Sequence, residues 1–436
     1  MPRTPTTPAQ VSGHRFLVRR VEHALVRADA AMLHDPQRTR GRALAAGAAL
    51  AALAVAGSAV LGLVRPGAGS TDDADLLLVR GTGALHVRVG DRLHPAANLA
   101  SARLVLGRPE TPRRVGAEAL EGAPLGPPVG VAGAPDVAAD GAPPTPATAG
   151  VCELAETDPA DPAGAIAVHR TVVRLGGAGR PDDGTTVLAR GDDGHWLVAG
   201  GVRARIDPAD PVVARALGLG SAPVRPAGPD WLRAIPERPP VTAPHVGPVG
   251  TPAPFPAPFD VVGRIVDVGT RSVAVTPAGA VDVGPVVADV LAALGGRAAA
   301  GERELAAVPV APPIDPGSLP AVRPRWAAAR GWLCADSPAD GGPAAVTARE
   351  PAGPHVPYAT ADGPGPAPDA YTGPAATVAA DAGEGAVLVS GAGLRHHVHG
   401  DPGVLGHPAP GPLPWRVLAA LPEGAELSRA AALRGS

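Results

Sequence analysis

His396, His397 and His399, with His407 nearby, form the densest set of potential metal ligands in the chain. Side chains alternate along a strand, so His397 and His399 would share one face and could pair on an ion. Asp401 continues that spacing, but it lies in Gly400-Asp-Pro-Gly403, a stretch that turns away from a strand. The competing reading is a polar strand edge with no ligand.

Other constellations are thinner. All 38 basic side chains are arginine, so the lysine of a GxxxxGK[ST] phosphate loop is absent. Leu175-Gly-Gly-Ala-Gly179 lacks GxGxxG and runs into Arg180-Pro181, which marks a turn. His169 and His195 accompany no GxSxG elbow. No catalytic, cofactor-binding or metal-binding residue is assigned, and no cofactor is expected. Trp196, Trp231, Trp326, Trp332 and Trp415 stand out because aromatics are only 2% of the chain. They either anchor cores or offer faces for stacking sugars. A net charge of −3 and so few aromatics argue against nucleic acid as a partner.

The elements that would position these residues begin with an anchor. Residues 43–64, ALAAGAALAALAVAGSAVLGLV, carry no charge. As a helix this run spans roughly 33 Å, enough to cross a hydrocarbon core. A cleavable signal peptide fits less well, because 42 residues precede the run. Arg27, Arg38, Arg40 and Arg42 lie just before it, against Arg65 and Arg80 after it, which places the N-terminus in the cytoplasm and residues 65–436 outside. The cytoplasmic segment, 1–42, holds eight arginines and three acids. From Arg15 to Leu33 it has helical periodicity, with Phe16, Leu17, Arg20, Val21 and Leu25 on or beside an apolar face. Asp35-Pro36 ends it. Such a helix either lies on anionic lipid or docks on a cytoplasmic partner.

Gln10-Val-Ser-Gly13, then RFLVRRVEHALVRADAAMLHDP (15–36), then an apolar anchor resemble the N-terminus of the EccB family. LLLVRGTGALHVRVGDRLHPAANLASARLVLG (76–107) is similar to the first extracytoplasmic segment of that family, including the run from His94 to Leu104. Looser similarity, around GPPVGVAGAP and both cysteines, covers most of the chain. EccB proteins are the single-span core subunit of the type VII (ESX) secretion membrane complex of actinobacteria. The resemblance implies a helix that packs into the complex, with the motor ATPase and other membrane subunits as partners. Further copies of the chain and the cell wall are additional partners to be tested. Some EccB proteins carry an ATPase label; the missing lysine leaves such an activity without a recognisable site.

Outside the anchor, hairpin-plus-helix patterns recur near 76–107, 187–237, 272–309 and 386–425. In 187–219 a Gly191-Asp-Asp-Gly194 turn joins two strands, and Asp210-Pro211 opens a helix. Leu232-x-x-x-Pro236 resembles Leu418-x-x-x-Pro422, and Leu305-x-x-x-Pro309 is a third copy. The family resemblance implies four structural repeats around a central β domain. Taken alone, residues 108–150 read as a linker, although the family resemblance implies that part of the stretch packs in an extended form; residues 351–376 read as a loop. The fold class is therefore α+β, with a mainly β outer region of repeats preceded by an amphipathic helix and one transmembrane helix.

Cys152 and Cys334 are the only cysteines, both outside by this topology. One disulfide is the simplest reading in an oxidising compartment; a free thiol pair and a redox site are the alternatives, although no CxxC spacing exists. The family resemblance agrees with a bridge across the central domain. Relatives tend to carry a tryptophan shortly before the first cysteine, where this chain has Thr145-Pro-Ala-Thr-Ala-Gly150.

Overall fold

The computed structural model describes residues 7–28, 36–64, 74–137, 143–158, 161, 163–177, 184–358, 367–407 and 409–435. The chain divides into two compact units, Met1–Ser70 and Thr71–Ser436.

The first unit holds two helices. Helix α1 spans Pro8–Arg27, with proline in its first turn and Gln10 Oε1 accepting the Thr7 N–H at 3.0 Å. This Thr-x-x-Gln arrangement starts the helix at Pro8, ahead of the Arg15 that apolar periodicity suggests. It ends at Arg27, followed by Ala28 in the left-handed region with φ of 55°. Met32 and Leu33 lie outside the described residues. Helix α2 spans Pro36–Val64 and therefore begins before the apolar run. Within it, Gly41–Val60 has a mean hydropathy of 2.0 and is long and apolar enough to cross a membrane.

The second unit repeats one design four times. Three antiparallel strands form a meander, a helix or turn crosses back, and a fourth strand pairs parallel with the first. In the first module the strands are Leu76–Val79, Leu85–Val89, Arg92–Ala96 and Arg113–Val115, with helix α3 at Leu99–Leu106. The second module uses Thr185–Gly191, Gly194–Ala199, Val202–Arg205 and Val224–Pro226, with helix α4 at Pro211–Leu217 and helix α5 at Pro229–Ala234. The third uses Ile265–Val268, Arg271–Thr276, Gly279–Val283 and Arg297–Ala299, with helix α6 at Pro285–Gly295 and helix α7 at Glu302–Leu305. The fourth uses Val378–Asp381, Ala386–Val389, Arg395–His397 and Gly411–Pro412, with helix α8 at Trp415–Leu418. Its crossover is a 3₁₀ turn, Pro402–Leu405, capped by Asp401, whose carboxylate accepts the Gly403 N–H at 2.8 Å. Helix α9, Arg429–Arg434, packs on α3.

Every module closes on the same short phrase. Leu-x-x-x-Pro returns the chain to the free edge of the third strand, where the proline carbonyl accepts a backbone N–H. The pairs are Leu93 to Pro124 (2.9 Å), Arg203 to Pro236 (2.8 Å), Ala280 to Pro309 (2.8 Å) and Arg395 to Pro422 (2.9 Å). Proline has no N–H, so at a sheet edge it leaves no ladder donor unpaired. The first copy, Leu120-x-x-x-Pro124, falls in residues 108–150. That stretch is thus no linker throughout: it supplies the first module's fourth strand and closing edge.

The central sheet has the strand order Ala345–Thr347, Gly331–Pro338, Thr148–Thr157, Ile166–Leu175, Ala370–Thr372, Val356–Pro357. Two of these strands lie within 351–376, which the sequence marked as a loop. They are too short to show a period of two. Tyr371, buried and paired with Val173, is what fixes one of them.

Packing follows a nested order. One core, with Val151, Val173, Trp196, Trp231, Val387 and Leu418, joins the central sheet to the second and fourth modules. A second joins modules two and three through Leu197, Val213, Ile265 and Leu291. A third joins modules one and four through Leu76, Leu104, Leu388, Leu405 and Leu427. First packs on last, second on third, with the central sheet between.

Candidate functional site

The cysteines sit directly opposite each other on neighbouring antiparallel strands of the central sheet. Their Cα atoms are 3.9 Å apart and the sulfurs 2.03 Å, a disulfide closing a sequence separation of 182. Both are buried, with Val172, Ala370 and Trp332 around them. The bond sets aside the free thiol pair. Two residues before Cys152, Gly150 lies between Asp336 on one neighbouring strand and Arg174 on the other. Those two side chains form a buried ion pair.

Glu153, beside the disulfide, is fully buried. Its carboxylate accepts the Gly228 N–H at 3.0 and 3.2 Å, and its backbone carbonyl accepts from Arg225 Nη2 at 2.9 Å. Burial pushes its pKa up to about 8, offset in part by the Arg225 charge. Burial also lowers Arg225, to about 10. Arg225 donates a further bond to the Gly331 carbonyl at 2.8 Å, so the pair ties the second module to the central sheet. Nothing in the residue order signals this role: within Cys152-Glu153-Leu154 the glutamate looks like the solvent side of a strand.

The histidine run divides by face. His396 is buried, with Nδ1 3.0 Å from the Ala425 carbonyl and its ring against Gly424. His397 lies 3.9 Å from Glu423 and 3.1 Å from Arg395 Nη1; His399 lies 3.4 Å from Glu426. Asp401 is engaged in its cap. Each histidine thus has its own partner, and no group of three or more metal-ligating side chains converges among the described residues. A cavity of about 560 Å³ lies beside this module, lined by Gly133, Thr377, Ser390, Gly391 and His396. His396 has no accessible surface there, so it presents no chemistry to that cavity.

The tryptophans do not form a platform. Trp196 and Trp231 are buried core side chains, and Trp326, Trp332 and Trp415 are half-buried. Guanidinium groups cover the Trp196 ring, with Arg203 at 4.4 Å and Arg205 at 4.5 Å. Arg395 sits 4.5 Å over Trp415. Those faces are taken by internal cation–π contacts. His169 and His195 lie on strands apart from any nucleophile motif, and Gly176 and Gly177, both at positive φ, form a turn.

What is left open is on α1. Leu17, Val21 and Leu25 form one i+4 stripe, and Phe16 and Arg20 the row beside it. Phe16 is 55% exposed, Leu17 58%, Val21 59% and Leu25 81%. An apolar stripe this exposed is a surface without its cover.

A helix with an uncovered apolar stripe, one helix among the described residues able to span a membrane, and a disulfide-bridged array of four sheet modules define the class: a module protein with a candidate membrane span. The family model described as type VII secretion system ESX-1, transport TM domain B, matches residues 3–436, and the chain belongs to this EccB family. The ESX-3 secretion system ATPase EccB3 of Mycobacterium tuberculosis is 36% identical over 302 residues, covering 65% of this chain and 56% of the relative. The ESX-1 secretion system ATPase EccB1 of the same organism is 33% identical over 302 residues, covering 66% and 61%. The chain therefore spans little more than half the length of the curated relatives it matches. Among solved structures, the EccB3 dimer from the ESX-3 core complex superposes with a TM-score of 0.68 at 27% identity, over 83% of this chain and 100% of that one. A chain of an intact ESX-5 inner membrane complex superposes with a TM-score of 0.63 at 27% identity, over 99% and 96%.

Proposed function

We propose that this protein is a structural membrane subunit of a type VII (ESX) secretion system, assembling and stabilising the secretion pore on the outer side of the membrane. The family match across residues 3–436 carries this reading. In it, residues 1–42 are cytoplasmic, 43–64 span the inner membrane and 65–436 lie outside, the orientation resting on the arginines before the span. The stripe of Phe16, Leu17, Val21 and Leu25, flanked by Arg20, docks on other membrane subunits, the motor ATPase among them. A second copy of the chain is a further partner, in keeping with the dimeric relative.

The relatives' ATPase names do not transfer as a mechanism. With no lysine in the sequence, no Walker loop can be built. We read the chain as non-hydrolytic, and purified full-length protein is expected to release phosphate from ATP at background rate. A membrane-anchored cell-wall binder is the second reading; the covered faces of Trp196 and Trp415 disfavour it.

The test is native-gel and mass-spectrometric analysis of tagged full-length protein in mild detergent, beside a variant lacking residues 10–36. Multi-subunit complexes that disappear in the variant support docking by α1. Wild-type protein running alone would overturn it. Retention on purified cell wall would then bring the second reading forward.

A further inference from the structure

Among the described residues the buried histidines are His86, His396 and His407, and all three belong to the first and fourth modules. No buried histidine among the described residues lies in modules two and three. His407 follows the 3₁₀ turn of the fourth module, at the seam with the first. There Arg103, from α3, is buried and donates Nη1 to the Leu405 carbonyl at 2.8 Å and Nε to the Glu110 carbonyl at 3.1 Å. A side chain at Gly406 would collide with that guanidinium, its Cβ only 2.6 Å from Nη1. His407 is thus one residue from a buried cation that bonds across the seam. Neither of its ring nitrogens has a hydrogen-bond partner among the described residues.

The charged groups around it offer no relief. From α3 comes Arg103. From α9 comes Arg429, which donates to the Val105 carbonyl at 3.1 Å. Beyond α3, Glu110 gives Arg103 only its backbone, its carboxylate being bonded to Arg108 at 2.9 Å. On the turn itself, the Asp401 carboxylate caps Gly403. A proton on His407 would add a second cation beside Arg103, and no carboxylate among the described residues is bonded to its ring.

His396 adds to this. It shares a strand face with Val398, which lies in the seam core, and its Nε2 is buried and unpartnered. Its exposed neighbours His397 and His399 lie beside Glu423 and Glu426. His86 points to the other face of its sheet and is not at the seam.

We propose that the seam between the first and fourth modules is an acid-operated latch, released when His407, with His396, takes a proton. Acid then parts module one from module four while the fourth sheet and the seam between modules two and three stay closed. The direction is set by burial, which holds His407 below its ordinary pKa, with Arg103 adding to it; burial does the same for His396, opposed by its bond to Ala425. Above the ordinary value of 6.5 both closed and open states are neutral and the seam is level. Below it the open state protonates first, and the seam weakens until the lowered closed-state value is passed.

Hydrogen exchange on the full-length protein in detergent, expressed as protection factors at pH 7.5 and 5.5, tests the latch. Peptides covering α3, residues 402–407 and α9 should lose protection, by at most about tenfold per trapped histidine, while peptides covering α4 and α6 hold theirs. His407→Gln removes one of the two protons and should lose clearly less seam protection at pH 5.5 than the wild type; His407→Gln with His396→Gln should keep most of it. Equal loss at both seams, or no loss at the first, would overturn the proposal; so would a His407→Gln chain that opens in acid as the wild type does. If that variant is already open at pH 7.5, the wild-type contrast between the two seams decides alone.

Discussion

Arg174 and Asp336 form a buried ion pair that crosses an intervening strand, passing over Gly150. A Cβ at position 150 would stand 2.3 Å from Asp336 Oδ1, so the pair and the glycine require each other. Asp336→Asn leaves a buried guanidinium without its anion and should cost about 3–5 kcal/mol of stability. Gly150→Ala should cost about 1–3 kcal/mol by overpacking. Replacing both charges together by apolar residues should cost much less than either single change. Urea unfolding of the four chains checks this, and a loss below 1 kcal/mol for Asp336→Asn would mean the pair contributes little.

The disulfide makes a second prediction. Cys152→Ser with Cys334→Ser should lower stability by up to about 5 kcal/mol, the loop-entropy bound for a separation of 182 residues. Because the two strands stay paired on both sides of the bridge, the fold itself should survive at low temperature. Thermal unfolding with and without reductant reads the difference; equal midpoints would remove the bridge from the stabilising contacts.

Glu153 predicts a pH dependence of known sign. Its pKa in the fold is raised, so the stability it contributes is fully present below its ordinary 4.5 and is lost as pH rises through about 8. Glu153→Gln keeps an oxygen for the Gly228 N–H but cannot ionise. The stability difference between variant and wild type should therefore grow in the variant's favour across that window, by on the order of a few kcal/mol. A flat difference from pH 5 to 9 would contradict the assignment.

The first and fourth modules share a detail that modules two and three lack. His94 packs against Gly126 and His396 against Gly424, with a Cβ at either glycine only 2.2 or 2.3 Å from the ring. Each Nδ1 meets the carbonyl of the next residue, Pro127 at 2.8 Å and Ala425 at 3.0 Å. Gly424→Ala should destabilise by about 1–3 kcal/mol. Adding His396→Ala should recover part of that loss, a coupling that a double-mutant cycle measures directly. Simple additivity would show that ring and glycine do not touch in solution.

Much of the fold could be read from residue order because local chemistry and final structure agree. Asp210 caps α4 by accepting the Val212 and Val213 N–H groups, and Pro211 occupies its first turn. Gly284-Pro285 opens α6. Leu-x-x-x-Pro was visible three times for the same reason. Its first copy was hidden by glycine, proline and alanine on either side, which look like linker whether or not a strand edge receives them. The strand at Ala370–Thr372 escaped because its parallel partner, Ile166–Leu175, lies about two hundred residues earlier and its other neighbour, Val356–Pro357, is too short to show a pattern. At the candidate site, the apolar stripe of α1 was plain from spacing. The roles of Glu153, Arg174 and Asp336 were not, since burial on both faces of a sheet is decided by distant chain.

The nested packing order has a consequence in time. As the chain emerges from its N-terminus, the strand carrying Cys152 appears long before Gly331–Pro338, the neighbour that carries Cys334. Modules two and three, written wholly between them, can finish first. Cys152 must wait as a free thiol through their synthesis, exposed to any oxidant or thiol on the way. The first module waits longer still, since its partner is written last. A chain halted after Cys152 and before Cys334 is therefore a trap for mixed disulfides, and thiol labelling of stalled chains would show how long the gate stands open.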